Sequence, residues 1–248
     1  MPEPQTVGEN QPKQFASWID QFKERHPNVD LELDDAPRPC DPGHPAYHRQ
    51  QRAEAAVARW TTAVPYRYRN AVADRSEVVH WADRAICDYR SAGFLVLTGA
   101  VGNGKTHQAY GALRRIAEAG PKSFQMIATT APDLYGLLRP GGSDKGTEFE
   151  LRKLARIPLL LLDDLGTEKL SEFTEEATYR LLNERYNECL PLIVTTNLPV
   201  RAATVNGQPT GPDLVSRLGE RLSSRLSQTA TLVAFTGPDL RRTHRDAS

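Results

Sequence analysis

Cysteine is scarce in this chain. Cys40, Cys87 and Cys189 are the only three in 248 residues and form no paired framework. That excludes a disulfide-built secreted fold and points to a reducing compartment. Long apolar runs are missing too. The longest, the leucines at 159–162, is far too short to span a bilayer. The first thirty residues are polar and lack the apolar core of a signal sequence. A cytoplasmic protein without membrane contact is expected. Net charge is also absent, because 31 basic and 31 acidic side chains cancel. A global electrostatic pull on nucleic acid is thereby excluded, and any DNA contact must come from local patches. Internal repeats are not seen either.

What is present suits one substantial α/β core with a smaller appended segment. Residues 1–11 are polar and carry Pro2, Pro4 and Gly8 without periodicity, as disordered segments do. From Pro12 a helical pattern starts. Phe15, Trp18, Ile19 and Phe22 fall at i, i+3, i+4 and i+7, four large apolar groups on one face. His26-Pro27 ends it. The face is a candidate partner-binding surface, since a proline-rich linker separates it from the rest. That linker, 30–45, is acidic and then carries Pro37, Pro39, Pro42 and Pro45. Cys40, His44 and His48 have ligand-like spacing, but they are three where a structural zinc needs four.

A second helix is expected over 47–62. Residues 49–75 carry Arg49, Arg52, Arg59, Arg67, Arg69 and Arg75 against only Glu54 and Asp74. Ser76 can cap a further helix to about residue 90, with Val79, Ala82, Ile86 and Tyr89 inward. From Phe94 short apolar strands alternate with helices: 94–98, 123–128, 159–163, 192–196 and 231–235. The alternation predicts an α/β fold, a parallel sheet sandwiched by helices, with a small helical N-terminal region. The expected division is 1–62 and 63–248.

Gly99-Ala100-Val101-Gly102-Asn103-Gly104-Lys105-Thr106 fits the phosphate-loop pattern GxxxxGK[ST] throughout. A strand precedes it and a helical run follows, as that chemistry requires. The glycines let backbone N–H groups converge on a phosphate, and the helix N-terminus adds partial positive charge. Lys105 can reach the β and γ phosphates of ATP, and the Thr106 hydroxyl can ligate Mg²⁺. The leucine run then ends in Asp163-Asp164. Adjacent acids at the end of a buried strand are hard to explain as packing. Asp163 would hold the Mg²⁺ shell, and Asp164 would orient the attacking water or accept its proton. A third strand ends in Thr195-Thr196-Asn197, and Asn197 can position that water. Arg217, Arg221 and Arg225 are spaced i, i+4, i+8 and would form one basic stripe on a helix, with Arg241 and Arg242 further on.

These residues together resemble a family. The run 94–107, closing in Gly104-Lys105-Thr106-His107, looks like the phosphate loop of the DnaC/IstB-like AAA+ ATPases. Ala63-Val64-Pro65-Tyr66-Arg67-Tyr68-Arg69 resembles the "IPxRYR" element ahead of their core. Residues 162–166 are similar to their Walker B segment, 194–197 to their sensor 1, and 219–226 to their "GERxxxRL" arginine-finger helix. The resemblance, over roughly 63–242, implies an AAA+ core that hydrolyses ATP with Mg²⁺. It implies Arg225 as an arginine finger acting in trans, with Arg221 as the competing candidate, and Arg241 as sensor 2. It also implies an ATP-dependent homo-oligomer that places a DnaB-type replicative helicase on single-stranded DNA. A related transposition helper, preferring duplex DNA, is the neighbouring alternative. A P-loop small-molecule kinase would show an acceptor pocket and a basic lid; the acid pair, Asn197 and the late arginine helix argue against it. Intact Lys105, Thr106, Asp163 and Asp164 argue against a binding module that never hydrolyses.

Overall fold

The structure is a computed structural model that describes residues 21, 24–25, 40–166, 171–205, 208–237 and 239. Among these, no helix is long and apolar enough to cross a membrane. The chain divides into two compact units, Met1–Tyr47 and His48–Ser248. In the first unit, the expected apolar face of Phe15, Trp18, Ile19 and Phe22 lies outside the described residues. Near its end a turn forms, with the His44 N–H donated to the Asp41 carbonyl at 2.8 Å.

Helix α1 (Pro45–Ala63) opens on a proline, which suits a first helical turn because its missing N–H has no intrahelical partner to lose. Ala56 and Trp60 are buried, and the Trp60 indole donates to the Tyr110 carbonyl at 3.2 Å. Arg52 and Arg59 donate to the carbonyls of Gly120 and Phe124. Residues 48–62 therefore belong with the second unit. A short 3₁₀ turn (Tyr66–Tyr68) follows, and its Tyr68 ring stacks on Tyr110 at 4.9 Å.

Helix α2 (Ser76–Cys87) is shorter and turned relative to expectation. Its inward residues are Val78, Trp81, Ala82 and Ala85. Trp81 is the largest apolar group on this helix, and burying it sets the face; its indole also donates to Gly93 O. Asp88 then breaks the helix and caps a single further turn, α3 (Tyr89–Ala92).

Five parallel strands follow: β1 (Phe94–Gly99), β2 (Met126–Thr130), β3 (Leu159–Asp163), β4 (Leu192–Thr196) and β7 (Ala230–Phe235). Their order is β2-β3-β4-β1-β7. A small antiparallel pair, β5 (Thr204–Val205) with β6 (Gln208–Pro209), was not foreseen. The helices between are α4 (Lys105–Glu118), α5 (Ala131–Leu138), α6 (Thr147–Arg156), α7 (Glu172–Asn187) and α8 (Leu214–Thr229).

The sheet is covered on both faces. Leu95, Leu97, Leu159, Leu161 and Ile193 meet α1, α2 and α4. Phe94, Val96, Leu160, Leu162, Leu192 and Val194 meet α5, α6, α7 and α8. Strands buried on both sides read as continuous apolar runs, which is why the leucines of β3 show no alternation. Each such side chain contributes about 1.5–3 kcal/mol on burial.

Strand β2 begins later than expected, at Met126 rather than 123. Phe124 is buried, but in the layer of α1 and α2 instead of on the pleat. In α8 the correction is larger. Gly219 has φ 76° and ψ 161°, a kink inside the helix, in a backbone region essentially reserved for glycine. Arg217 lies before the kink and Arg225 after it, so the expected continuous basic stripe is broken.

Candidate functional site

In a parallel sheet, ligands bind outside the carboxyl ends of the strands where the strand order reverses. Here β1 lies between β4 and β7, with Leu97 opposite Thr195 and Gly99 opposite Phe235. The ends of β1, β3 and β4 open into a cavity of about 680 Å³, within the range of small-molecule sites. It is lined by residues 101–108, by Asp163, Asp164, Asn197 and Phe235, and by Arg67, Tyr68, Asp74 and Arg75. The loop, the acid pair and the asparagine thus meet in one place.

The loop geometry follows from its glycines. Gly102 and Gly104 have φ 87° and 86°, which residues with a Cβ rarely adopt. Gly99 permits a close approach: a Cβ there would lie 2.2 Å from Phe235 O. That carbonyl also accepts from the Asn103 amide at 3.1 Å, tying the loop to the end of β7. Val101, by contrast, is exposed at the rim.

Lys105 is buried, and its ammonium is fully directed. Nζ donates to Gly99 O and Ala100 O, both at 2.7 Å, and to Asn197 Oδ1 at 2.9 Å. Asn197 therefore faces the lysine across the cavity. Thr106 Oγ1 donates to Asp163 Oδ1 at 3.0 Å, bringing together the two groups expected to hold Mg²⁺. Burial raises the Asp163 carboxyl above the usual carboxylate range; the Thr195 hydroxyl pulls it down, the neighbouring Asp164 adds to the rise, and Thr106 and Lys105 pull it down further. An oxygen pair of hydroxyl and carboxylate is the donor chemistry a hard cation takes, so the residues fit Mg²⁺. Asp164 stands at the turn leaving β3 with φ 58°.

Sequence reasoning missed a second layer of the site. His107 Nε2 accepts from Val72 N–H at 3.3 Å. Gln108 Oε1 accepts from the N–H groups of Asp74 and Arg75, and its Nε2 donates to Asp74 Oδ1 at 2.6 Å. Gly111 lets Val72 and Ala73 lie directly against α4. The first two turns of α4 therefore hold the strap 66–75 along the cavity, and Arg75 packs over the Phe235 ring at 5.2 Å. The motif made His107 visible; Gln108 and Gly111 gave no signal, because their partners lie more than thirty residues earlier in the chain.

Arg217 and Arg225 are not among the residues that line the cavity. Arg225 is half-buried, stacked over Tyr186 of α7 at 5.0 Å, with Nη1 buried and unpartnered among the described residues. The Arg221 side chain and the whole of Arg241 lie outside the described residues. Among the described residues no group of three His, Cys, Asp or Glu side chains comes together to hold a metal.

A parallel sheet of this order, with a phosphate loop after β1 and an acid pair after β3, defines an ATP-binding protein of the AAA+ class. Within it, the profile of the IstB-like ATP binding protein family matches residues 48–245. The chain belongs to that family. It is 28% identical over 148 residues to an ATP-binding protein in an insertion sequence of Mycobacterium tuberculosis, covering 59% of this chain and 55% of that one. It is 27% identical over 161 residues to the chromosomal replication initiator DnaA of Gloeobacter violaceus, covering 63% and 33%. The chain thus spans about half, and about a third, of these relatives. Among solved structures it is similar to the DnaC helicase loader, at 28% identity and TM-score 0.55, covering 69% of this chain and all of that one. DnaI shares the fold, at 20% identity and TM-score 0.51, with 75% and 92% covered.

Proposed function

We propose that this protein hydrolyses ATP and uses the cycle to place a DnaB-type replicative helicase on single-stranded DNA. The observation that carries the ATPase reading is the convergence of Lys105, Thr106, Asp163, Asp164 and Asn197 on one cavity. Lys105 and the loop amides bind the β and γ phosphates. Thr106 and Asp163 hold Mg²⁺, which when bound neutralises phosphate charge as it develops. Asp164 orients water and takes its proton, and Asn197 fixes the position of the lysine and of that water. Arg225 of a neighbouring subunit supplies the finger and Arg241 acts as sensor 2, which makes the working form an ATP-dependent homo-oligomer. The first unit grips the helicase. Similarity to the solved chain of the DnaC helicase loader supports the loading step.

The enzymatic part is tested with two variants. Lys105→Ala should lose most ATP affinity, because the phosphates lose the loop's cation. Asp164→Asn should bind ATP normally and turn over at least about 100-fold more slowly. Unchanged affinity in the first, or wild-type turnover in the second, would sink the site assignment. The loading part is tested by adding the host's replicative helicase to protein-coated circular single strands. Unwinding should require this protein and ATP.

A second reading is a transposition helper. It rests on the insertion-sequence relative. Preference for duplex over single-stranded DNA, and no stimulation of the helicase, would select it.

A further inference from the structure

We infer that Thr195 is a positioning residue for both acids of the Asp163–Asp164 pair, so that it sets turnover and the contribution of Mg²⁺, and not metal-free nucleotide affinity. The inference rests on the reading of Asp164 as the acid that handles water. Thr195 lies on β4, wholly buried, where polar side chains are rare. Its hydroxyl accepts from the Asp164 backbone N–H at 2.9 Å and donates to Asp163 Oδ1 at 2.5 Å. Its own carbonyl accepts from Leu165 N–H at 2.9 Å. One residue therefore holds three consecutive residues of the turn that leaves β3.

The turn needs holding. Asp164 has φ 58°, a left-handed conformation that is uncommon for residues with a side chain, although aspartate adopts it more readily than most. Released, the backbone would relax and swing the carboxylate away from the cavity. A hydroxyl has one proton and two lone pairs. Here the proton goes to Asp163 and a lone pair meets Asp164 N–H, so one atom fixes the angle between the two acids. Thr196, next along, acts behind the site. Its hydroxyl donates to Leu165 O and accepts from Leu198 N–H, which shapes the loop there. The Thr195 hydroxyl meets the loop through Asp163, where Thr106 donates to the same oxygen.

The test compares Thr195→Val, which keeps the shape and loses the hydroxyl, with Thr195→Ser, which keeps the hydroxyl. The valine variant should lower kcat about 10–100-fold, the scale on which a small displacement of a reacting group acts. Its affinity for a non-hydrolysable ATP analogue in EDTA should stay within about twofold, because the loop and Lys105 are untouched. The extra affinity that Mg²⁺ confers should shrink, a readout independent of turnover. Serine should restore both within about threefold. Wild-type kcat in the valine variant overturns the inference. So does a serine variant as slow as the valine one, since a purely steric role depends on the methyl. Should the valine variant not fold, Thr195→Ala carries the same comparison against serine. Asp164→Asn separates the two levels: if it is slow while Thr195→Val is fast, only this inference fails; if Asp164→Asn is itself fast, the reading beneath it fails first.

Discussion

Arg185 is the residue whose role the sequence hid most completely. It sits in the last turn of α7, where an arginine reads as solvated, yet it is fully buried. Its guanidinium donates to the carbonyls of Leu154, Ala155, Ile157, Pro158 and Pro191. Those groups close the end of α6 and the entries to β3 and β4, where carbonyls lack partners of their own. Burial pulls the guanidinium down to about 9, still charged at neutral pH. Arg185→Met should cost about 3–5 kcal/mol, since several buried acceptors lose their donor together. Urea unfolding measures it; a loss below about 1 kcal/mol would mean that water takes over the carbonyls. Lys105, Thr106 and Asp163 were legible because their chemistry demands fixed spacing along the chain. Thr195, Gln108 and Arg185 were not, because each answers to groups that only the fold brings near.

Among the elements, the sheet was readable and its dressing was not. Continuous apolar runs bounded by turns marked β1, β3 and β4, while Phe124 drew β2 too early and Trp81 turned the face of α2. Glycine explains two further features. In α8, Gly219 splits the arginine pattern. In α4, Gly111 stands where a Cβ would come within 2.3 Å of Ala73 N. Helix propensity alone favours alanine there by about 1 kcal/mol, but a backbone clash outweighs it. Gly111→Ala should lower the melting temperature and weaken binding of an ATP analogue by lifting the strap; a more stable variant with normal binding would refute the packing. The start of α8 offers a pH test. Asp213 accepts from the N–H groups of Ala202 and Ser216, and these bonds, Ala202 first, hold its carboxyl below the usual range. With the folded value below the unfolded one, the cap's contribution is complete above about pH 4 and is lost as pH falls. Asp213→Ala should therefore cost about 1 kcal/mol at neutral pH, and the two stability curves should converge toward acid. A gap independent of pH would assign the effect to packing.

At the scale of the whole molecule, the alternation of strands and helices made the second unit legible from Phe94 onward. The anchoring of α1 was not, because its arginines make a pattern that looks solvated while Trp60 is buried and donates to Tyr110 O. Assembly is the property to test here. If Arg225 acts in trans, the contact between subunits is heterologous and builds rings or open spirals. Arg225→Ala subunits bind ATP and Lys105→Ala subunits still donate the arginine, so mixing two inactive variants should restore part of the turnover. No rescue, with a rate per subunit independent of concentration, would confine Arg225 to its stacking on Tyr186. The strand order also has a bearing on synthesis. Strand β1, which carries the phosphate loop, takes both of its neighbours from much later in the chain, β4 at Leu192–Thr196 and β7 at Ala230–Phe235. Such distant pairings are slow to form. A nascent chain that has passed Thr106 still lacks the strands that brace its loop, and it cannot discriminate nucleotide until nearly all of the second unit has left the ribosome. Chains cut short before Phe235 are thus silent as well as incomplete: they carry the whole phosphate-loop motif and no working site.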